Sequence, residues 1–239
     1  PGFALVGQRY NEQLHRPDVL IHLAWEGLPN YHSLRHFETE LPRQYFFLKE
    51  LLQGGLPSLL VAGTCLEYGE QTGSLSEELT PLPNIPYSFA KDTLRRQLEF
   101  LQGSHPFALT WARLFYVFGK GQREKSLWSQ LTSAVERGDK IFNMSGGEQV
   151  RDFMPVTRMA ELLVDLALRR TETGVVNVCS AKPISVRTLV EEWIRENGWN
   201  IRLNLGYYPY PSYEPMEFWG NDQKLKSIHN VFQSEKLQL

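Results

Sequence analysis

Cysteine is nearly absent: the 239 residues hold two, Cys65 and Cys179. Two cysteines so far apart make neither a disulfide framework nor a thiolate metal cluster. They fit a reducing, cytoplasmic setting. An excess of charge of one sign is missing too. The formal net charge is −2, so no basic surplus points to nucleic acid or to an anionic membrane. The short basic pairs Arg95-Arg96 and Arg169-Arg170 read as solvated helix faces. No run approaches the ~18 apolar residues of a membrane span, and no charged stretch leads into an apolar one as in a secretory signal. His22, His32, His36 and His105 lack metal-ligand spacing, so no metal is expected. No Gly-x-Ser-x-Gly elbow suggests a hydrolase. What is present is an ordinary globular composition, 42% hydrophobic and 22% charged, in a chain long enough for one large domain or two small ones.

Short apolar runs alternate with helical patterns. Asp18 to Ala24, Ser58 to Gly63 and Phe107 to Phe115 read as buried strands of a parallel sheet. Helices are expected from about Pro42 to Gln53, ended by Gly54-Gly55, from Tyr87 to Gln102 and from Ser126 to Gly138. Residues 70 to 86 carry Gly73, Pro81, Pro83, Asn84 and Pro86 and read as loop. After residue 140 the texture changes. Short extended segments at Ile141–Met144, Gln149–Val156 and Val175–Val178 are separated by helices over Thr157–Arg170 and Ser185–Asn197, the last capped by Ser185. Tyr207 to Trp219, rich in proline and aromatics, reads as loop. The pattern predicts an α/β fold, Rossmann-like, with a mostly parallel sheet flanked by helices. Two parts are expected: a dinucleotide-binding domain over 1–140 and a small substrate-binding lobe over 141–239, with re-entry into the first part around 150–180. In such sheets ligands bind beyond the carboxyl ends of the strands, here the loops after Ala24, Gly63 and Phe115.

Tyr87-Ser88-Phe89-Ala90-Lys91 is the central chemical feature. A tyrosine and a lysine four apart share one helix face. A phenol near pKa 10 is a poor base at neutral pH, and a neighbouring ammonium favours its ionised form. So tuned, it can give or take a proton. By itself the pair is common and reads equally as a surface contact. Upstream, Thr64 stands in Gly63-Thr64-Cys65-Leu66-Glu67-Tyr68-Gly69 at the end of a buried strand. Its hydroxyl suits a substrate oxygen, or it caps a turn. Cys65 reads as a small packed residue rather than a nucleophile, since no histidine is near it in sequence.

These segments, with Arg113-Leu114-Phe115-Tyr116-Val117-Phe118-Gly119, Arg151-Asp152-Phe153-Met154-Pro155-Val156 and Gly174-Val175-Val176-Asn177-Val178, follow one another in the order of a known family. The sequence resembles the extended short-chain dehydrogenase/reductases, in particular the nucleotide-sugar epimerases, dehydratases and reductases. The resemblance implies an NAD- or NADP-dependent enzyme acting on a nucleotide-diphosphate sugar, with hydride carried by the nicotinamide because no side chain carries it. It implies Tyr87 as general acid/base, Thr64 as its partner in the proton network, and Lys91 as both a holder of the nicotinamide ribose and the group that lowers the Tyr87 pKa. Leu23 and Ala24 would border the cofactor. Cys65, Tyr116 and Arg151 would border the substrate, with the Arg151 guanidinium on phosphate or ribose oxygens. A pairing of Arg151 with Asp152 is the bland alternative. The resemblance also implies a homodimer, with the helices from Tyr87 and from about Pro42 as candidate faces.

The chain departs from the family pattern in three places. Cys65 and Leu66 stand where the 4,6-dehydratases carry Asp and Glu, which argues against that elimination. Tyr116 replaces an Asn, and Arg158 an Asp. The glycine-rich phosphate loop is not found, since Gly2-Phe3-Ala4-Leu5-Val6-Gly7 has the wrong spacing. The chain opens on Pro1, and the expectation is of an active enzyme whose loop segment is not in this sequence. A 4-keto reduction is expected first and a 4-epimerisation second. A non-catalytic module that binds a nucleotide sugar or another chain is the alternative of another class.

Overall fold

The computed structural model describes Tyr10, residues 12–210 and residues 215–236. Its strands are β1 (Leu20–His22), β2 (Ser58–Thr64), β3 (Gly73–Leu75), β4 (Ala108–Leu114), β5 (Tyr116–Phe118), β6 (Ile141–Asn143), β7 (Val150–Pro155), β8 (Gly174–Val178), β9 (Pro183–Ser185), β10 (Arg202–Asn204) and β11 (Phe218–Gly220). Its principal helices are α1 (Leu41–Gln53), α2 (Pro86–Gln102), α3 (Leu127–Glu136), α4 (Val156–Leu168), α5 (Val186–Glu196) and α6 (Gln223–Lys236).

The main sheet has the order β1-β2-β4-β8, and each neighbouring pair is parallel. Every residue of β2 is buried, as an inner strand covered on both faces must be. Alternate residues of one strand then serve opposite layers. Leu59 and Val61 of β2 join Leu109 and Trp111 of β4 against Leu48 and Leu51 of α1 and Leu94 and Leu98 of α2. On the other face Leu60 and Ala112 pack with Val176 and Val178 against Met159, Leu162 and Leu166 of α4 and Leu225 of α6. A side chain of this size contributes about 1.5–3 kcal/mol when fully buried, so both helix layers are held to the sheet. A third cluster, with Leu131 of α3, Val190 and Trp193 of α5, Phe142 and Ile201, forms the core of a smaller lobe. The β5-β7-β9 sheet and the β6-β10 pair belong to that side of the molecule.

The helices expected from periodicity are present with bounds shifted by a residue or two. Pro86 opens α2 at its first position, where a missing N–H costs nothing. Ser126 and Ser185 cap α3 and α5 by accepting the backbone N–H of Ser129 and Thr188. Three expectations need correction. The loop over 70–86 contains β3, and the tail contains β11; the two pair with each other in parallel. Too short to show a period, they are made by pairing rather than by propensity. Residues 211–214 of that tail lie outside the described residues, as does the Gly2–Gly7 segment. Finally, Arg95 is not a solvated residue. It is buried along α2 and bracketed by Asp92 at 2.6 Å and Glu99 at 2.6 Å.

Candidate active site

Three elements deliver the central residues. β2 ends on Thr64, whose extended backbone leads into the 3-10 turn Cys65–Tyr68. The Thr64 hydroxyl accepts the Leu66 N–H at 3.3 Å, and the Glu67 carboxylate accepts the Thr64 N–H at 2.9 Å. That reciprocal pair is a capping box. Thr64 is therefore a cap, and its hydroxyl lies near enough to the Tyr87 phenol to oppose the rise in that phenol's pKa. The capping reading of this hydroxyl is met, and its place beside Tyr87 leaves it within reach of the same cavity.

Glu67 is the anchor of the turn. Fully buried, it takes the Trp111 Nε1 hydrogen at 3.0 and 3.1 Å and the Arg113 Nε hydrogen at 2.8 Å. Burial pushes its carboxyl up, and Arg113 with the other donors opposes that. The Arg113 guanidinium in turn lies 4.5 Å from the centre of the Tyr68 ring. Tyr68 donates to Asn177 Oδ1 at 2.8 Å, and Asn177 donates to the Leu75 carbonyl at 2.9 Å. The motif residues Glu67, Tyr68, Arg113 and Asn177 thus form one buried network that fixes the strand ends under the site. Gly63 is required there, since a Cβ would fall 2.7 Å from Glu67 Oε1 and even closer to the Trp111 indole. Gly69 closes the turn at φ +67°, and a Cβ on it would run into the Leu82 carbonyl.

Tyr87 and Lys91 lie on the buried face of α2. The Tyr87 ring is boxed by Tyr31, His36 and Trp25, at centroid separations of 5.5, 5.3 and 6.1 Å. Burial pushes the phenol above its usual value; Tyr31, Glu67 and Cys65 add to that, and Thr64 opposes it. Lys91 Nζ donates to the Ala62 carbonyl at 2.9 Å and sits 4.1 Å from the centre of the Trp25 ring. Burial brings its pKa down to about 7, against the pull of Glu67 and Glu40. The expectation that Lys91 lowers the Tyr87 pKa is not met in this arrangement. The ammonium is engaged with Ala62 and Trp25, and loss of water dominates the phenol.

Two adjoining cavities meet at Tyr87. One of about 500 Å3 is lined by Leu23, Trp25, Ala62, Gly63, Tyr87, Lys91, Arg123 and Lys125. The other, about 570 Å3, is lined by Thr64, Cys65, Leu66, Tyr87, Tyr116, Trp128, Arg151 and Trp193 among others. Leu28, Tyr31, Gly63, Leu114, Gln122 and Ser126 line both. Of the residues singled out from sequence, Thr64, Tyr87, Cys65, Tyr116 and Arg151 therefore share one cavity, and Lys91 and Leu23 the other. Ala24 is exposed and lines neither.

Arg151 does not pair with Asp152. It donates to the carbonyls of Val150 at 2.9 Å and Met216 at 3.2 Å, with its plane 4.4 Å from the Phe218 ring centre. Asp152 instead accepts the backbone N–H groups of Ser180, Ala181 and Gly220 at 2.7, 2.8 and 3.3 Å. Sequence reasoning missed Trp25, Tyr31, His36 and Glu67. Only Glu67 left a signal, the Thr64-x-x-Glu67 spacing of the capping box. Of the other three, Trp25 and Tyr31 lie in an irregular segment, and His36 opens a single π-helical turn, His36–Glu40, too short to show a period.

Residues of the first cavity could hold the nicotinamide end of a dinucleotide. The Lys91 amine lies at its wall, and Arg123 and Lys125 bring positive charge suited to phosphate. Among the described residues no cluster of His, Cys, Asp and Glu could hold a metal ion. No helix among them is long and apolar enough to cross a membrane.

A parallel sheet whose strand ends bring a hydroxyl-bearing turn to a Tyr–Lys helix, between two cavities, defines the extended short-chain dehydrogenase/reductase class. Within it, the pattern of the NAD dependent epimerase/dehydratase family matches residues 8–179, and the chain belongs to that family. It is 29% identical over 219 residues to the dTDP-6-deoxy-L-talose 4-dehydrogenase (NAD(+)) of Aggregatibacter actinomycetemcomitans, covering 91% of this chain and 80% of that protein. It is 27% identical over 175 residues to the GDP-6-deoxy-D-talose 4-dehydrogenase of the same organism, covering 72% of this chain and 59% of that one. Among solved structures, MoeE5 in complex with UDP-glucose and NAD superposes with a TM-score of 0.74 at 25% identity, over 87% of this chain and 71% of that one. The UDP-N-acetylglucosamine 4-epimerase of Methanobrevibacter ruminantium M1 shares the fold with a TM-score of 0.79 at 19% identity, over 93% and 72%.

Proposed function

We propose that this protein is an NAD-linked oxidoreductase acting at C4 of a nucleotide-diphosphate 6-deoxyhexose, in the direction of 4-keto reduction. The observation that carries the proposal is the position of Tyr87. Its phenol stands beside the Thr64 hydroxyl in the wall shared by the two cavities. The first cavity, with Lys91 and Leu23 in its wall, would hold a nicotinamide, which would supply the hydride. Tyr87, kept protonated by its burial, supplies the proton to the C4 oxygen. Thr64 holds that oxygen in place. Lys91, held by the Ala62 carbonyl and the Trp25 ring, lines the first cavity and would donate toward the cofactor ribose.

The wall beside Tyr87 and Thr64 carries Cys65, Leu66 and Leu28. These three side chains offer an apolar surface that suits a C6 methyl better than a hydroxymethyl group. Such a wall discriminates about 10–200-fold, the range for one small group in an apolar pocket. The absence of an Asp-Glu pair after Thr64 removes the acid and base that water elimination needs. Arg151 lines the same cavity, where a guanidinium suits the oxygens of a substrate's diphosphate or ribose. The two Aggregatibacter relatives, both named as 6-deoxytalose 4-dehydrogenases, support the substrate class and the position oxidised.

The test is oxidation of NADH with a dTDP-linked 4-keto-6-deoxyhexose, followed at the nicotinamide absorbance band. Stoichiometric loss of NADH is expected. Sugar conversion with no net absorbance change would make the enzyme an epimerase. Tyr87→Phe is expected to lower kcat by about 10²–10⁴ while leaving NADH binding in place by calorimetry. Near-normal turnover in that variant would remove Tyr87 from the chemistry.

A further inference from the structure

We propose that Trp25, locked by His36, is a positioning residue for the Tyr87–Lys91 pair, holding the Lys91 ammonium on its indole face and the Tyr87 ring against its edge. The proposal rests on the roles given to Tyr87 and Lys91 above.

Lys91 Nζ has three hydrogens to place. The Ala62 carbonyl takes one at 2.9 Å, and the Trp25 ring, its centre 4.1 Å away, takes a second. The third is left for the cavity that Lys91 lines. An ammonium with little water gains most from a ring face, and Lys91 is 2% exposed. Without that face it would have one fixed partner and freedom to swing.

The indole is itself fixed. Trp25 Nε1 donates to His36 Nδ1 at 3.1 Å, and His36 Nε2 lies 2.8 Å from the Asn30 carbonyl oxygen. A carbonyl only accepts, so Nε2 carries the hydrogen and Nδ1 is left as the acceptor. Both ring nitrogens of a histidine with no exposed surface are thereby committed, and its tautomer is set. The His36 ring lies alongside the Trp25 ring and meets Tyr87 edge-on at 5.3 Å. The loop that carries these residues closes tightly on the imidazole: a Cβ on Gly27, at φ +89°, would sit 3.1 Å from His36 Cε1. One two-residue unit therefore touches both the proposed acid and the proposed cation. A residue that only filled the core would have no need of a fully committed histidine behind it.

The charged and titratable groups that face Lys91 are Glu67 from the turn after β2, Glu40 from the turn ahead of α1, His22 on β1 and Tyr87 on α2 itself. Removing the ring face leaves all four in place, so a shift in the Lys91 titration reports on Trp25.

The experiment compares Trp25→Leu, which loses the face, with Trp25→Phe, which keeps a smaller one. The first readout needs no cofactor: the indole N–H resonances of the protein in a ¹H–¹⁵N spectrum, with the Trp25 signal assigned by its loss in Trp25→Phe. His36→Leu is expected to move that signal and speed its exchange with solvent, and His36→Asn, which retains an acceptor, to restore it in part. The second readout is the pH profile of NADH oxidation. Loss of activity at high pH, as the ammonium deprotonates, is expected to move about half a unit or more toward lower pH in Trp25→Leu. The accompanying fall in kcat is about tenfold. Trp25→Phe is expected to stay near the wild type in the high-pH limb and in kcat. If Trp25→Leu does not fold, His36→Leu against His36→Asn carries the same comparison. A high-pH limb that is identical in Trp25→Leu and the wild type, or an indole signal indifferent to His36→Leu, overturns the proposal. An active Tyr87→Phe sinks the underlying assignment instead, and the two failures are distinct.

Discussion

Replacing Glu67 by leucine is expected to be among the most costly single changes in this protein, and the cost follows from what would be left behind. The Glu67 side chain has no exposed surface, and its partner Arg113 has 1%. Leucine would remove the carboxylate from three donors, the Thr64 N–H, Trp111 Nε1 and Arg113 Nε. The guanidinium would remain buried without its counter-charge. Breaking a buried pair from one side costs about 3–5 kcal/mol, which for a chain of this length lowers Tm by about 6–20 °C. Urea unfolding followed by circular dichroism reads the loss directly. The double variant Glu67→Leu with Arg113→Met tests the cause. If the cost is the stranded cation, removing that cation as well recovers a large part of it, because a well-packed apolar pair can stand in for an ion pair. The same change strips the turn Cys65–Tyr68 of half its capping box, so turnover is expected to fall in the double variant even where stability returns. A loss below about 1 kcal/mol in the single variant, or a double variant no more stable than the single one, would refute the reasoning.

Three other contacts carry comparable consequences. Asp152→Ala leaves the backbone N–H groups of Ser180, Ala181 and Gly220 without their acceptor; a loss of about 1–3 kcal/mol or more is expected in urea unfolding, and an unchanged midpoint would deny Asp152 its role as a clamp. Gly63→Ala sets a methyl against the Trp111 indole and Glu67, so a destabilisation of about 1–3 kcal/mol with loss of turnover is expected, against no change if the strand end can shift freely. His22 is buried with its pKa lowered from 6.5 to about 4, chiefly by desolvation. The folded state refuses a proton that the unfolded chain accepts, so stability is full above about pH 6.5 and is lost as the pH falls toward about 4. His22→Gln is expected to flatten that part of the stability curve, and an identical slope in wild type and variant would assign the loss to other groups.

The sequence was most legible where one strand or helix carries its own evidence. The uniform apolar run of β2 announces burial on both faces, and Tyr87, Ala90, Lys91, Leu94 and Leu98 announce the buried side of α2 by their spacing alone. Tyr87 and Lys91 were found because four residues along a helix are one turn in space, a relation that needs no tertiary knowledge. The residues that complete the site obey no such rule. Trp25 reaches Lys91 across sixty-six positions of sequence through an irregular loop, and His36 reaches Trp25 through another turn of the same loop. Their meeting is set by where β1 and α1 pack on the sheet, and nothing periodic encodes it. For the same reason the sign of the Tyr87 shift could not be read in advance. A tyrosine and a lysine one turn apart suggest a lowered phenol only if the ammonium has nothing better to do and water is near. Here Ala62 and Trp25 hold the ammonium, while Tyr31, His36 and Trp25 exclude water from the phenol. The pair that sequence identifies is thus given its electrostatics by residues that sequence does not, so substitutions in the Trp25–His36 loop should move the pH dependence of turnover more than changes on the exposed face of α2.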